Sequence, residues 1–419
     1  MKILVLNSGS GSERIALFQI EGSLPLEPPP PLWQASTDTT APGQPPGKLV
    51  VKIQLRDHGE ASDNIPADSS PAERSKRLLR TLRDEGRVLG GPAEINAISH
   101  RVVHGGSEYS SAVLVDEKVE RDIERFAAFA PLHNEHNLEG IRAAREIFGS
   151  HIPQIAVFDT AFHRTLPEAA AIYAGPHAWT ERGIRRYGFH GTSFRWRSVS
   201  ARGAELLERK DDPELRLVIC HLGGGCSLAA TTGGRSVDTT MGFTPLDGIA
   251  MCTRSGALDP GILLYLLREG MTVEDLDKTL NKESGLKGLS GLPGDTRIIL
   301  PAAKNGNKRA QLAIDVFVHR LQAGIGQMLA ALGRRPDALI FTGSIGESEP
   351  EIRAAACRGF ACLGLELDLE ANAVSQVDSD IGAANSSVRV LIIKSQENWQ
   401  IARESAELLR EIWPNESNK

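Results

Sequence analysis

A chain of 419 residues, 41% hydrophobic and 24% charged, has the composition of a soluble globular protein and the length of two domains, with a cleft between them as the expected ligand site. Its net charge of −6, with no lysine and arginine run interleaved with aromatics, excludes a nucleic-acid binder, and no apolar run is long enough for a signal peptide or a membrane span. Five cysteines (Cys220, Cys226, Cys252, Cys357, Cys362), odd in number and without CxxC spacing, read as reduced cytoplasmic thiols and not as a zinc site.

From the N-terminus, Lys2 to Leu6 is an apolar run that breaks at NSGSGS (Asn7 to Ser12) and resumes at Ile15 to Ile20, which predicts strand, tight turn, strand. The proline-rich LPLEPPPPLWQ and APGQPPG predict an exposed loop at a sheet edge, and KLVVKIQLRD after them alternates as a half-buried strand does. Ser70-Pro71-Ala72-Glu73 is a capping box with proline at the first helical position, so a basic helix runs from there to near Gly86. Ala97 to Val103 predicts a strand delivering Arg101 and His104-Gly105-Gly106 at its C-terminal end, where open α/β sheets bind ligands. Helical patterns flank APLHNEHN (Ala130 to Asn137), and Gln154 to Phe158 is a strand ending in Asp159. YGFHGTSF (Tyr187 to Phe194) predicts a turn and a helix start.

Leu215 to Cys220 is an apolar strand that enters the glycine turn His221 to Gly225 and returns as a second strand to Ala230. This repeats the N-terminal pattern and predicts two copies of one α/β fold with mixed sheets. TRSG, with Arg254, precedes a proline-capped helix at Pro260; a capping box at Thr272 to Asp275 opens another, and SGLKGLSGLPGDTR (Ser284 to Arg297) predicts a glycine-rich loop. An amphipathic helix from about Arg309 to Leu332 leads to the strand Ala338 to Phe341 and a third turn, TGSIGES (Thr342 to Ser348). The last strand, Val388 to Ile393, runs into a terminal helix expected to pack back on the first domain.

Three turns of small residues, each after an apolar strand, are more than a hairpin needs, whereas a nucleotide with its phosphates and sugar uses all of them. Arg101 and Arg254 each follow an apolar segment and precede glycine, which suits an anionic acceptor attacking an anionic phosphoryl group; the other reading is a structural ion pair. Asp159, an acid closing an apolar strand, is solvated, capped or functional. His190 either caps the turn at Gly191-Thr192-Ser193 or carries charge, and Glu397 is either a helix-start carboxylate or a contact to Mg²⁺. His100, His104, His133, His136 and His163 have no HxxxH or HExxH spacing, which argues against a histidine-bound metal.

Taken together, NSGSGS, SHRVVHGG, APLHN, VFDTAFH, GFHGTS, CHLGGG, SVDTTMGFTPLDG, TRSG and FTGSIGE resemble the acetate kinase family of short-chain acyl kinases, within the acetate and sugar kinase, Hsp70 and actin superfamily. The motifs run in the family's order over nearly the whole chain. The resemblance implies two duplicated actin-like, ribonuclease H-like domains with mixed sheets flanked by helices: 1–161 plus 397–419, closed by the C-terminal helix, and 162–396, carrying most of the nucleotide site. It implies a cytoplasmic homodimer that uses ATP/ADP as co-substrate and Mg²⁺, with Mn²⁺ able to substitute, on acetate and acetyl phosphate.

Carried over by motif, Asn7 and Glu397 support the metal, and Ser10, Ser12 and Arg14 sit near the phosphates. Arg101 and Arg254 hold the carboxylate and the transition state, Asp159 is essential, and His190 stabilises transferred charge. His133 is a further cleft residue. His221, Leu222, Gly223, Gly224 and Gly225 form the phosphate loop; Asp295, Thr296, Arg297, Gly343, Ser344, Ile345, Gly346 and Ser348 hold the adenosine. Val103, Leu132, Phe189 and Pro245 form the apolar pocket for the acceptor's methyl group.

The chain departs from the family at Gly11, Arg14, Phe194, Gly224, Ala257, Ser348 and Asn398, where serine, lysine, histidine, asparagine, aspartate, asparagine and glutamate are usual. A small carboxylic acid, with a pKa of about 4, is already an anion at neutral pH and needs no base to attack. The expected mechanism is therefore direct in-line transfer, with Arg101, Arg254, His190 and Mg²⁺ relieving repulsion and Asp159 positioning the metal or its water. A propionate or butyrate kinase would use the same groups with a roomier pocket. A sugar kinase would need a base for a neutral hydroxyl, and an actin- or Hsp70-like nucleotide switch would have no acceptor.

Overall fold

The computed structural model describes residues 1–8, 12–38, 47–56, 59–84, 89, 94–195 and 199–414. The chain divides into two units, one of Met1–Ala161, Gly191–Ser193 and Gln396–Lys419, the other of Phe162–His190 and Phe194–Ser395.

The first unit is built on β1 (Lys2–Ser8), β2 (Ser12–Gln19), β3 (Trp33–Asp38), β4 (Lys48–Leu55), β5 (Gly59–Pro66), β6 (Ala97–Val102), β7 (Val113–Leu114) and β8 (Gln154–Phe158), in the order β5-β4-β3-β2-β1-β6-β8-β7. β1 runs parallel to β6, and β6 to β8; the other pairings are antiparallel. β1 is apolar without alternation because both faces are covered. Leu4, Leu6 and Ile98 pack with Leu78, Leu79 and Ala144 of the Pro71–Arg83 and Pro131–Phe148 helices, while Ile3, Val5 and Ala97 pack with Trp399, Ile401 and Ala402 of the terminal Glu397–Ile412 helix.

The capping box at Ser70 is formed as predicted: Ser70 N–H donates to Glu73 Oε2 at 2.7 Å and Glu73 N–H to Ser70 Oγ at 3.2 Å. Two expectations for this unit are corrected. LPLEPPPPLWQ leads into β3, an inner strand that begins at the fully buried Trp33, and the edge on that side of the sheet is β5; APGQPPG, except Gly47, lies outside the described residues. GEASDNIP offers almost no apolar alternation, since an edge strand buries little, so β5 left no periodic signal. APLHNEHN is not a link between helices but the first two turns of the Pro131–Phe148 helix, started by proline at its first position.

Glu13 on β2 is buried, with Ser75 of the Pro71–Arg83 helix and Ser8 donating to Oε1, the latter at 3.4 Å. Burial pushes its carboxyl up to about 6, against the pull of the Ser75 bond. A pKa raised in the fold contributes stability that is present below about 4.5 and lost as the pH rises through about 6. Glu13→Gln is expected to stabilise the protein by roughly 2 kcal/mol at pH 8 and not at pH 4.5. Urea unfolding of both proteins at the two pH values checks this, and an equal difference at both would refute it.

The second unit is built on β9 (Arg216–Leu222), β10 (Cys226–Thr232), β11 (Arg235–Thr239), β12 (Ala338–Thr342), β13 (Ser379–Asp380) and β14 (Arg389–Ile392), in the order β11-β10-β9-β12-β14-β13. β9 is antiparallel to β10 and parallel to β12, β12 is parallel to β14, and β13 is antiparallel to β14. Strand for strand and direction for direction this repeats β3-β2-β1-β6-β8-β7, so the duplication predicted from two similar turns extends to six strands.

Two glycine-rich stretches read as irregular are helical. Gly285–Ser290 is a helix inside the predicted loop, and Gly343–Ser348 is a helix where a turn was expected. Glycine lowers helix propensity, so both are held by tertiary contacts that no local pattern records. A Cβ on Gly343, at φ +79°, would lie 2.7 Å from the Leu222 carbonyl oxygen, and one on Gly285, at φ +59°, 2.2 Å from that of Met251. Among the described residues no helix is long and apolar enough to cross a membrane.

Candidate active site

In the first unit the candidate residues Asn7, Arg101 and Asp159 gather at the C-terminal ends of β1, β6 and β8. Arg101, on β6 and 8% exposed, donates from Nε to Asp159 Oδ2 at 2.9 Å and pairs with the same oxygen through Nη2. Nη1 reaches Asn7 Oδ1 at 3.3 Å. Burial by itself would lower the Arg101 pKa, but the Asp159 carboxylate, with Glu397, outweighs it and raises it, so the guanidinium stays charged. Asp159 is fully buried, and its other oxygen accepts the Thr192 hydroxyl at 2.8 Å. Asn7 Nδ2 donates to Asn398 Oδ1 at 2.9 Å and lies 3.5 Å from Glu397 Oε2. A carboxylate and carboxamides at one strand end are hard oxygen donors of the kind Mg²⁺ takes beside substrate phosphates.

The HGG after β6 is shaped by residues the sequence did not single out. Asn134 and Asn137, from the first turns of the Pro131–Phe148 helix, accept the His104 and Val103 N–H groups, each at 3.0 Å. Gly105 leaves no room for a side chain against Phe158, nor Gly106, at φ +59°, against Phe126. Val103 is buried. Ser10 and the side chains of Ser12 and Leu132 lie outside the described residues; Arg14 is exposed on β2.

In the second unit β9 ends at Leu222, so His221 and Leu222 belong to the strand, and the turn proper is Gly223-Gly224-Gly225. Gly223 N–H donates to Gly225 O at 3.1 Å, and Cys226 Sγ to Gly223 O at 3.2 Å. A Cβ on Gly225 would lie 2.9 Å from Arg254 Nη2 and 3.4 Å from His190 Nε2. A guanidinium and an imidazole thus converge on the bare edge of the glycine turn. Arg254 is 6% exposed and donates from Nη1 to Pro245 O at 2.7 Å. His190 stands at φ +58°, a backbone region costly for a non-glycine residue, and its Nδ1 is 2.8 Å from Ser227 Oγ. Its ring stacks on His221, with centroids 4.2 Å apart. His163, read as one of several scattered histidines, holds the same segment from beneath, with Nε2 on Phe189 O at 2.9 Å and Nδ1 on Ser236 Oγ at 2.8 Å.

Gly225→Ala should push the Arg254 guanidinium aside, since the far end of a flexible side chain yields before backbone does. The expected result is at least a tenfold loss of turnover with an unchanged melting temperature; unchanged turnover would refute it.

Asp295 caps the Thr296–Lys304 helix and takes a two-oxygen grip from Arg297 Nε at 2.9 and 3.0 Å, while Thr296 donates to Glu349 at 2.9 Å. Gly343 N–H donates to Glu347 Oε1 at 2.9 Å. Ser344 is exposed, and a Cβ on Gly223 would come 3.4 Å from its Oγ; Ile345 and Gly346 are buried, and the Ser348 hydroxyl turns back onto Ser344 O. Among the departures, Phe194 is fully buried between the rings of His163, His190 and His221, and Gly224 is exposed with open space around it. Asn398 is the direct partner of Asn7. Thr192, Ser227, Asn134 and Asn137 were missed because each acts by a contact more than 29 residues distant in sequence.

A profile described as the Acetokinase family matches residues 2–403. The chain belongs to the acetokinase family. It is 48% identical over 413 residues to the acetate kinase of Gloeobacter violaceus, covering 98% of this chain and 100% of that protein. The acetate kinase of Trichormus variabilis matches equally, at 48% over 413 residues, with the same coverage. Among solved structures, Porphyromonas gingivalis acetate kinase has a TM-score of 0.81 at 34% identity, covering 97% of this chain and 99% of that one. A propionate kinase from Francisella tularensis subsp. tularensis SCHU S4 has 0.83 at 36%, covering 96% and 98%. The two-sheet architecture is thus that of acetokinase-family enzymes, with the actin-like fold of that superfamily.

Proposed function

We propose that this chain transfers the γ-phosphoryl group of ATP to acetate, reversibly, giving acetyl phosphate and ADP. The observation that carries the reading is the approach of Arg254 and His190 to the bare edge of the glycine turn after β9. Positive and hydrogen-bonding groups over a glycine turn suit an acceptor that is itself an anion and needs no proton removed. The near full-length identity to acetate kinases supports the same acceptor.

Arg254 and His190 hold the transferring phosphoryl group as its charge spreads, His221 and Gly223 to Gly225 cradle the phosphates, and Asp295, Arg297 and Gly343 to Gly346 take the adenosine. By family resemblance Ser10 and Ser12 are further assigned to the phosphoryl group. Arg101 binds the carboxylate; Val103, Phe189 and Pro245 are assigned to its methyl group. Asp159 is an orienting group and not a base: both of its oxygens are already occupied, by Arg101 and Thr192. Mg²⁺, or Mn²⁺ in its place, would be held by Glu397 with Asn7 and would offset the charge of the phosphates.

The test is hydroxamate trapping of the acyl phosphate with acetate, propionate and butyrate and ATP as donor. Acetate is expected to give the highest kcat/KM. One methylene is worth only ~1–3 kcal/mol, so propionate is expected to react measurably; a higher kcat/KM on propionate would reassign the acceptor, and no acid-dependent ADP release would end the kinase reading.

The reading carries a cytoplasmic location and a homodimer. Support for the dimer comes from the Pro260–Arg268 helix, which has no buried residue and exposes Ile262, Leu264 and Tyr265. Leu264→Glu combined with Tyr265→Glu is expected to give a monomer by sedimentation; an unchanged dimer mass would place the interface elsewhere.

A further inference from the structure

Away from the groups assigned to phosphoryl transfer, the second unit has a pocket of about 610 Å³ lined by Arg209, Arg216, Arg334, Arg335 and Arg389, against one lining carboxylate, Asp337. Arg216 opens β9, Arg389 opens β14, and Asp337 immediately precedes β12, so the pocket lies at the N-terminal edge of three parallel strands. The glycine turn lies past the opposite end of β9. Seven strand residues at ~3.3 Å each separate the two by about 20 Å. The volume is that of a small-molecule site.

The local sequence fixes this arrangement. Gly333, at φ +64°, ends the Lys308–Leu332 helix in the left-handed conformation, and Pro336 restricts Arg335 to extended backbone. The GRRP link is therefore short and stiff, and its two arginines cost little further entropy to place.

Carboxylates account for two of the five guanidinium groups. Arg209 bridges Asp212 and Asp337, each at 2.5 Å, and Arg389 is held by Asp380 at 2.6 Å and by two backbone carbonyls. The second oxygen of Asp337 accepts the Arg216 backbone N–H at 2.7 Å, so that carboxylate has little left to offer. Arg216 gives its Nε to the Glu214 carbonyl at 3.2 Å. The exposed side chains of Arg334 and Arg335 make no hydrogen bond or ion pair among the described residues. A single exposed arginine needs no explanation. Arg216 feels only the Asp212 carboxylate, which is already paired with Arg209, and Arg334 and Arg335 have no carboxylate partner among the described residues. Guanidinium groups brought to one concavity in excess of carboxylates repel each other, and a ligand with several negative charges removes that cost. Guanidinium forks match phosphate oxygens in pairs, and one carboxylate does not balance three of them.

We propose that this pocket binds a small phosphate-bearing anion with several charges, at a site separate from that of phosphoryl transfer. The test is calorimetric titration of inorganic tripolyphosphate into the full-length wild type and into a variant combining Arg334→Ala with Arg335→Ala. The wild type is expected to take up one more equivalent than the variant, or to bind at least ~10-fold more tightly, as the loss of two charge-assisted contacts requires. The variant should keep its melting temperature and its rate of acetate phosphorylation. A second arm with a hexose bisphosphate separates a free polyphosphate from a phosphorylated metabolite, and arginine-dependent binding of either supports the site. Equal stoichiometry and affinity in the two proteins with both probes would overturn it, as would arginine-dependent binding of an RNA oligonucleotide without binding of either small anion.

Discussion

Arg254→Ala is expected to lower the turnover of acetate phosphorylation on the order of 10²–10³-fold, the loss that follows removal of one preorganised donor at developing negative charge. The side chain is placed by the fold and not by its neighbours in sequence. Met251 N–H donates to Arg254 O at 3.1 Å, closing the loop on itself, while Ser255 N–H donates to Leu280 O at 3.0 Å and Leu286 N–H to Met251 O at 2.9 Å, so the loop is tied to the Val273–Lys282 and Gly285–Ser290 helices. Nη1 is then anchored on Pro245 O, and Nη2 meets the bare edge of Gly225. Truncation removes the donor while leaving these backbone ties, so the protein should fold. Arg254→Lys keeps the charge without the fork and should fall between alanine and wild type. Initial rates by hydroxamate trapping, with thermal melting as the control, decide it: a folded Arg254→Ala enzyme with near-normal turnover would remove Arg254 from the chemistry.

Asp159→Ala is expected to cost about 3–5 kcal/mol of stability, as well as activity, because it strands a buried charge. The Arg101 side chain is 9% exposed and Asp159 is 0% exposed, so water cannot replace the lost partner. The same substitution removes the acceptor of the Thr192 hydroxyl, the contact that fixes Gly191–Ser193 on the first unit. Asp159→Asn keeps the shape and an acceptor for Thr192 but not the charge, so it should recover part of the stability and little of the activity. Denaturant midpoints and rates for the two variants separate these effects. An Asp159→Ala protein as stable as wild type would mean that the pair contributes nothing net to the fold.

Much of the fold was legible because the strands that matter are buried on both faces. β1, β8, β9 and β12 each carry an unbroken run of four apolar residues followed by a polar or charged one, and that change marks the end of the strand at which the candidate residues stand, whereas β6 carries Ser99, His100 and Arg101 within the strand itself. The elements that escaped were those with little burial or little propensity: β5, whose exposed residues carry no alternation, and the glycine-rich Gly285–Ser290 and Gly343–Ser348 helices. The site showed the same division. Arg101, Asp159 and Arg254 stood out as charges next to apolar strands or glycine, whereas Thr192, Ser227, Asn134 and Asn137 are ordinary polar residues until a partner remote in sequence comes within 3.0 Å of them.

The sequence by itself determined that the protein has two copies of a mixed α/β fold and that a glycine turn follows the apolar strand β9, and its motifs, by their resemblance, placed it with kinases of small carboxylic acids. Periodicity and residue type are local properties, and they survive reading one residue at a time. Only the tertiary structure decided that Arg101 is bound to Asp159, that His190 takes a left-handed backbone and rests on His221, and that Gly225 is bare because a guanidinium and an imidazole need the room. Those facts depend on distances between segments remote in the chain, where burial turns an ordinary side chain into a fixed charge, and no local pattern encodes them.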